Sequence, residues 1–302
     1  MVKLVVDSGC DLPDTLFRKY SIPILPHSIS FGEDTFADQR NPAKMNHFYS
    51  MSLADRSRRI NSGPPAIQDI SIILWRLIES GHKDIVIQTI NGTNSPTYEN
   101  ACTVARKLMH SDAIKGDVQI HAVDSKNLFS GQGLLALYSL IQILRGLNGA
   151  EVAAKATEFA RWIHSYATIK DVYYVRERAR IKNEKSINWF KATAAYHLDL
   201  HPILSMHHDG SSVTDTVRGF DNCTEAVFRL AIDKIRAGKL ITPMIVISIA
   251  GRLEDLPKAQ GFTELEKVAE EHKVKIYRSV MSLSGGINLG PGTVGLSLAS
   301  KE

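Results

Sequence analysis

The stretches LVVDSGCDLP at 4–13, IVIQTINGTNSPTYENA at 85–101 and IHAVDSKNLFSGQG at 120–133 share one plan, an apolar strand that runs into a polar turn. Laid parallel in one sheet, they deliver Asp7, Ser8, Asn91, Ser95, Asp124 and Ser125 to a common carboxyl edge. Open α/β sheets bind ligands at that edge, where strand order reverses. The echo between VVDSG and AVDSK is the nearest thing to an internal repeat.

Working outward, apolar strand-like runs at 2–6, 24–31, 84–90 and 118–123 alternate with helical patterns, as crossover units of a parallel sheet do. Ile70, Ile73, Leu74, Leu77 and Ile78 fall at helical spacing, and 97–110 and 128–146 read as helices too. The last of these is apolar around most of its circumference, which predicts burial between layers or along a cavity. After GLNGAE at 146–151 the pattern predicts a helix through about 168, and beyond DVYYV at 171–175 the character changes. DGSS at 209–212 is a hairpin signal between two strand-like runs. The fold class is therefore α/β in two domains. A Rossmann-like parallel sheet with helices occupies 1–158, and a second α/β domain with a mixed, largely antiparallel sheet occupies 159–302. The boundary is soft and leaves 62–80 free to pack with the second domain.

A chain of 302 residues with 44% hydrophobic and 23% charged residues has an ordinary globular composition. Its 36 basic residues against 32 acidic ones are too slight an excess to indicate nucleic-acid binding. Cys10, Cys102 and Cys223 are odd in number and widely spaced, so free thiols in a reducing compartment are expected. The start, MVKLVVDSG, has too short an apolar run for a signal peptide, and no stretch approaches a membrane span. A cytoplasmic protein without integral membrane association is expected. There is no G-x-S-x-G elbow, P-loop or H-E-x-x-H pair, and the first strand lacks a dinucleotide turn.

Five motifs, in order, resemble the DegV family. VDSGCDLP resembles its opening D-S-x-x-D-L-P, NSPTYENA its S-G-T-Y-x-x-A, and VDS with the downstream GQG its D-S and glycine pair. RARI resembles its G-G-R-I, and GPG with a following glycine its closing H-x-G-P-G. The resemblance implies a bacterial fatty-acid-binding protein of two α/β domains, a lipid carrier rather than an enzyme, with no cofactor or metal. It implies a long-chain ligand such as palmitate, stearate or oleate in an interdomain tunnel, and presentation of the acyl carboxylate to a separate kinase subunit.

Site residues follow from the residues and the resemblance together. Ser95 before Pro96 is a good helix start, with Ser95 as N-cap, and the helix aims its amino end at the sheet edge, where backbone N–H groups favour an anion. INSGPPAI at 60–67 matches a family T-S-x-P pattern, with Ser62 as its hydroxyl in a loop. Ser95 and Ser62 are the expected carboxylate anchors, with Arg180 neutralising the headgroup from the second domain and Asn288 completing the set. Asp7, Ser8, Asn91, Thr97, Asp124 and Ser125 form the supporting loops, the two aspartates as turn formers rather than catalytic groups. Two departures from the family pattern stand out. Its two glycines are Arg178 and Ala179 here, and Asn288 replaces a histidine, so no side chain at that position can become cationic or relay a proton. Acyl binding survives that change more easily than phosphotransfer.

Two rival readings stand beside this one. Arg176, Arg178, Arg180 and Lys182 would share one face of a strand and could meet nucleic-acid phosphates or a phospholipid headgroup, although Glu177 and Glu184 suit a salt-bridged surface. A small-molecule enzyme at the carboxyl edge of the first sheet is the other. The glycines of 284–295 read as a tight turn between strands, and His197, His201, His207 and His208 as loop residues rather than a metal set.

Overall fold

The computed structural model describes residues 1–51, 60–114, 116–182, 198–208 and 210–301, with backbone alone at 179, 181 and 182. The first half runs β1 (Lys3–Asp7), α1 (Asp14–Lys19), β2 (Ile24–Leu25), β3 (His27–Phe31), β4 (Asp34–Asp38), α2 (Pro42–Ser50), β5 (Ile60–Gly63) and α3 (Ile67–Glu79). It continues with β6 (Asp84–Thr89), α4 (Thr97–Met109), β7 (Gln119–Asp124), α5 (Ser130–Leu144) and α6 (Gly149–Ala160). The second half runs β8 (Ile163–Thr168), α7 (Val172–Lys182), β9 (Leu200–His207), β10 (Gly210–Arg218), α8 (Phe220–Arg236) and β11 (Leu240–Ile249). It ends with α9 (Phe262–Glu271), β12 (Lys275–Val280), α10 (Leu283–Leu289) and β13 (Val294–Ser300). No described helix is long and apolar enough to cross a membrane.

The first sheet is parallel throughout in the order β2-β1-β6-β7, so the reversal point lies between β1 and β6. Because parallel strands are covered on both faces, they are apolar at successive positions. Val5, Ile85 and Ile87 pack toward α3 and α4, whereas Leu4, Val6 and Val86 face α5 and α6. The second sheet, β10-β9-β8-β13-β11-β12, is antiparallel except for β11 and β12. A small antiparallel sheet, β4-β3-β5, stands beside them. The α/β class with one parallel and one mixed sheet is thus as the sequence predicts.

α5 is the shared layer. Eleven of its fifteen residues are buried, and it packs against β1 and β6 on one side and β8, β11 and β13 on the other. Val6 and Val86 of the first sheet and Met244 and Val246 of the second therefore belong to one continuous core around Leu134 and Leu135. Full burial of one leucine contributes about 1.5–3 kcal/mol, so this helix alone is a large part of the cohesion between sheets. α8 and α9 close the far face of the second sheet over Phe228 and Phe262. We propose a division of the chain near residue 158, inside α6, with the α5 layer common to both units.

Several sequence expectations are corrected. The strand expected at 24–31 breaks at Pro26 into β2 of the parallel sheet and β3 of the small sheet, because proline has no N–H to continue a ladder. The helix expected through 168 stops at Ala160, and residues 163–168 form β8, whose alternation of Ile163, Ser165 and Ala167 with His164 and Tyr166 has the strand period. The basic run 176–182 lies on helix α7 and not on a strand, so its charges spread around the axis. Between β12 and β13 the glycines form helix α10 before the turn. The hairpin at 209–212 is present as the β9–β10 pair. Asp209, Glu184 and His197 lie outside the described residues.

A buried ion pair fixes the two halves to each other. Arg40 Nη1 donates to Asp11 Oδ1 at 3.0 Å and to Ser8 O at 3.1 Å, and its Nη2 donates to Val280 O at 2.9 Å and Ser279 Oγ at 3.3 Å. Asp11 Oδ1 also accepts from Ser282 N at 2.8 Å, and Ser279 Oγ donates to Leu12 O at 2.8 Å. Burial pushes the Asp11 carboxyl up from its usual range, while Arg40 and these hydrogen bonds pull it down.

Removal of one partner would leave a buried charge alone. Asp11→Ala is expected to cost about 3–5 kcal/mol in denaturant unfolding. Gly133→Ala should cost about 1–3 kcal/mol by the same measurement, because a Cβ there would stand 2.5 Å from the Asp11 backbone oxygen, which has no room to retreat.

Candidate functional site

A cavity of about 990 Å³ lies between the carboxyl edge of the first sheet and one face of the second. It is at the upper end of the usual range for small-molecule pockets, ~300–1,000 Å³. Strand register builds its floor. Gly295, Ala167, Leu204 and Val213 form one row across β13, β8, β9 and β10, and Ser297, Ser165, Met206 and Ser211 form the next. Three strand spacings make this floor about 14 Å wide. Its β13–β8 side carries glycine, alanine and serine, which leave room, and its β9–β10 side carries Leu204, Met206 and Val213 together with Ser205, Ser211 and Ser212. Val175 of α7 and Leu289 of α10 add apolar wall.

Polar groups gather where the small sheet meets α10. Ser62 Oγ accepts from Asn288 Nδ2 at 2.9 Å and from Ser284 Oγ at 3.3 Å. The Asn288 amide also donates to Ser284 O at 2.6 Å, one turn back on its own helix. Ser95 enters from the loop after β6, its Oγ 2.7 Å from Thr97 Oγ1. Asn100 Nδ2 donates to Pro65 O at 3.4 Å and so holds the first turn of α4 beside the segment that carries Ser62. Deeper in, Ser165 donates to Asn127 Oδ1 at 2.6 Å and Ser297 joins Ser165 to Ser130 at 2.6 and 2.7 Å, a ladder of hydroxyls across β8, β13 and the start of α5.

The loops that frame the cavity are tied by the aspartates. Asp7 Oδ1 accepts from Gly9 N and its Oδ2 from Ile90 N, at 2.9 and 2.7 Å. Asp124 Oδ1 accepts from Gly92 N and Lys126 N, at 3.1 and 2.9 Å. Ser8 Oγ accepts from His27 N, Ser125 Oγ donates to Asn127 O, and Asn91 Oδ1 accepts from Thr93 N. Burial pushes the Asp7 carboxyl up, opposed by His27 and the two backbone bonds. All three cysteines are free, and burial pushes Cys223 to about 12 and Cys10 well above the usual thiol range.

A model of uncharacterised proteins of the DegV family matches residues 1–301. The chain belongs to the DegV family. A DegV domain-containing protein of Xanthomonas campestris pv. campestris is 26% identical over 307 aligned residues, covering 99% of this chain and 98% of that protein. Among solved structures, a stearic-acid-binding protein from Eubacterium ventriosum superposes with a TM-score of 0.80 at 21% identity, covering 100% of this chain and 99% of that one. A DegV family protein from Eubacterium eligens loaded with heptadecanoic acid gives 0.75 at 16% identity, covering both chains fully. At such identities the likeness establishes the two-domain α/β fold.

In this DegV chain Ser62, Ser95 and Asn288 all line the one cavity, although residues 62 and 288 are far apart in sequence. Ser62 sits on strand β5 rather than in a loop. The helix after Ser95 starts one residue later than expected, with Pro96 in the cap position and Ser95 Oγ accepting from Thr97 N at 3.4 Å. Arg180 is not brought to the cavity: it pairs with Glu177 at 2.6 Å with its side chain 72% exposed. Arg178, one of the two residues standing where the family pattern has glycine, lines the cavity instead. His27 and the hydroxyl ladder were missed by sequence reading. Only the position of His27, just after Pro26 at a strand start, could have flagged it. Among the described residues no cluster of His, Cys, Asp or Glu could hold a metal ion.

Asn288→Ala deletes the amide that joins α10 to Ser62. A loss of about 1–2 kcal/mol in denaturant unfolding is expected, since each such bond contributes ~0.5–1.5 kcal/mol.

Proposed function

We propose that this protein is a fatty-acid carrier that holds one long-chain acyl group in the cavity, its carboxylate at Ser62, Ser95 and Asn288. The observation that carries the reading is the division of the cavity wall. Hydroxyl and amide groups converge at the end bounded by β5, α10 and the loop after β6, and Leu204, Met206 and Val213 give the floor beyond them apolar surface. Solved structures of similar fold, one described as a stearic-acid-binding protein and one as a DegV family protein loaded with heptadecanoic acid, support it. A chain of about fourteen methylenes at ~0.8 kcal/mol each gives a gross gain near 11 kcal/mol, against about 1.5–3 kcal/mol for one charge-assisted hydrogen bond. The tail supplies affinity and the polar end sets orientation. Arg178 is the cation facing the cavity in the present arrangement, and Arg180 joins the headgroup only by leaving Glu177.

Presentation of the carboxylate to an acyl kinase subunit extends this proposal. Asn288 donates hydrogen bonds but relays no proton, so in that reaction proton transfer falls to other groups. Asp7 and Asp124 are already committed to backbone N–H groups of the loops, which favours carriage over catalysis by this chain alone.

Protein purified from bacteria should carry close to one palmitate-, stearate- or oleate-sized acid per chain. Organic extraction and mass spectrometry against a mock preparation would measure it. Delipidation should lower thermal stability and added fatty acid restore it, because the ligand binds the folded state alone. An empty extract with no thermal shift from any fatty acid would sink the proposal. Ser95→Ala should weaken fatty-acid binding about 10-fold or more and leave the matching fatty alcohol unchanged. Equal losses for acid and alcohol would reduce Ser95 to a structural cap.

A further inference from the structure

His27 stands in the cavity wall, 2% exposed, and neither ring nitrogen has a hydrogen-bond partner in the protein. A buried imidazole normally satisfies at least one nitrogen, so unused capacity at a cavity wall asks for an explanation. Nε2 approaches Asp7 Oδ1 no closer than 3.7 Å, and that oxygen already accepts from Gly9 N. Register places the residue with respect to the polar end. Ile29 of β3 lies directly opposite Ser62 of β5, and His27 is two residues along the same strand, on the same face. Diagonal neighbours of this kind stand roughly 7–8 Å apart, so the imidazole sits within Coulombic reach of an anion bound at Ser62.

We propose that His27 reads the charge of the headgroup: its imidazole takes up a proton when an anionic group occupies the Ser62–Ser95–Asn288 end, and this favours acids over neutral lipids of equal length. The inference rests on the acyl-carrier reading above. The nitrogens lie beneath the wall, so they act on the cavity through charge rather than by direct contact. Histidine changes charge between pH 5 and 8, which suits it to this role, and Asn288 on the opposite side of Ser62 does not titrate.

Two carboxyl groups face His27. Asp7 lies at the end of β1, and Asp38 is its register partner on β4. Both carboxyls are pushed up by burial and drawn down by the positive charges near them, Arg40 foremost for Asp38 and His27 for Asp7. Beyond them lie Asp11 and Arg40, which pair with each other, and the half-buried Tyr49, whose phenol is pushed well above its usual range by desolvation. An anion bound at the Ser62 end and a proton on the His27 imidazole attract each other across the cavity wall. Protonation and anion binding therefore reinforce each other by linkage. Affinity for an anion is greatest at low pH and is lost as pH rises through the bound-state titration of the imidazole.

The test uses delipidated full-length protein and three probes of equal chain length: a fatty acid, an alkyl sulfonate whose charge is fixed, and a fatty alcohol. Titration calorimetry in buffers of different ionisation enthalpy counts protons on binding. The expected result is uptake of part of a proton near pH 7 with the sulfonate and none with the alcohol. Sulfonate affinity should fall about tenfold from pH 6 to pH 8, and His27→Gln should abolish both effects while still binding the alcohol. The wild-type proton count needs no variant, so it tests the role of His27 even where His27→Gln folds poorly. No proton uptake with the sulfonate, or uptake that persists in His27→Gln, would overturn the role of His27 and leave the carrier reading intact. Failure of all three probes to bind would overturn the carrier reading and this inference with it.

Discussion

The buried contact between Asp11 and Arg40 is the constraint on which the cavity depends. It is made where the turn after β1 meets the end of β12, and it fixes the separation of the two sheets that form the cavity's walls. Two charges taken out of water gain stability only when the remaining hydrogen-bonding sites are also filled. Here Ser8 O, Ser279 Oγ, Val280 O and Ser282 N take up sites on the pair, although Asp11 Oδ2 has no hydrogen-bond partner, and three of these four lie about 240 to 270 residues away in the chain. Gly133 belongs to the same joint, because α5 can approach the Asp11 carbonyl so closely only without a Cβ.

With the sheets fixed in this way, the shape of the cavity follows from which side chains the register places on its floor. Small residues at Gly295, Ala167 and Ser165 hold the space open, and the ladder from Ser130 through Ser297 and Ser165 to Asn127 satisfies the hydroxyls that this choice buries. The polar end is assembled from three separate elements, β5, α10 and the loop after β6, so a small shift of any one would separate Ser62, Ser95 and Asn288.

The strongly patterned elements were legible in the sequence. The strands around 4–6, 85–89 and 120–123 are apolar because a parallel sheet is covered on both faces, and α5 is apolar all round because it lies between two sheets. Ser62, Ser95 and Asn288 could be named because short motifs mark them, and Asp7 and Asp124 could be read as turn formers because strand-to-turn Asp-Ser pairs commonly tie down loop amides. Where local patterns were ambiguous the reading slipped. Residues 163–168 carry both helical and strand character, and pairing with β9 and β13 decides between them. The basic run fits a strand face on paper, but its backbone bonds within α7 instead.

The sequence by itself determined the α/β class and the order of the crossover units, because those depend on periodicity and turn chemistry within a few tens of residues, and Ser62 and Asn288 were named through the resemblance to family motifs. Tertiary structure alone decided that Arg178 rather than Arg180 faces the cavity, that His27 is buried beside Asp7 with its nitrogens unused, and that Arg40 joins the halves. Helix rotation, burial and long-range pairing settle such matters. They arise from how elements pack against one another, over about 240 residues for Arg40 and Val280, and no local pattern encodes them.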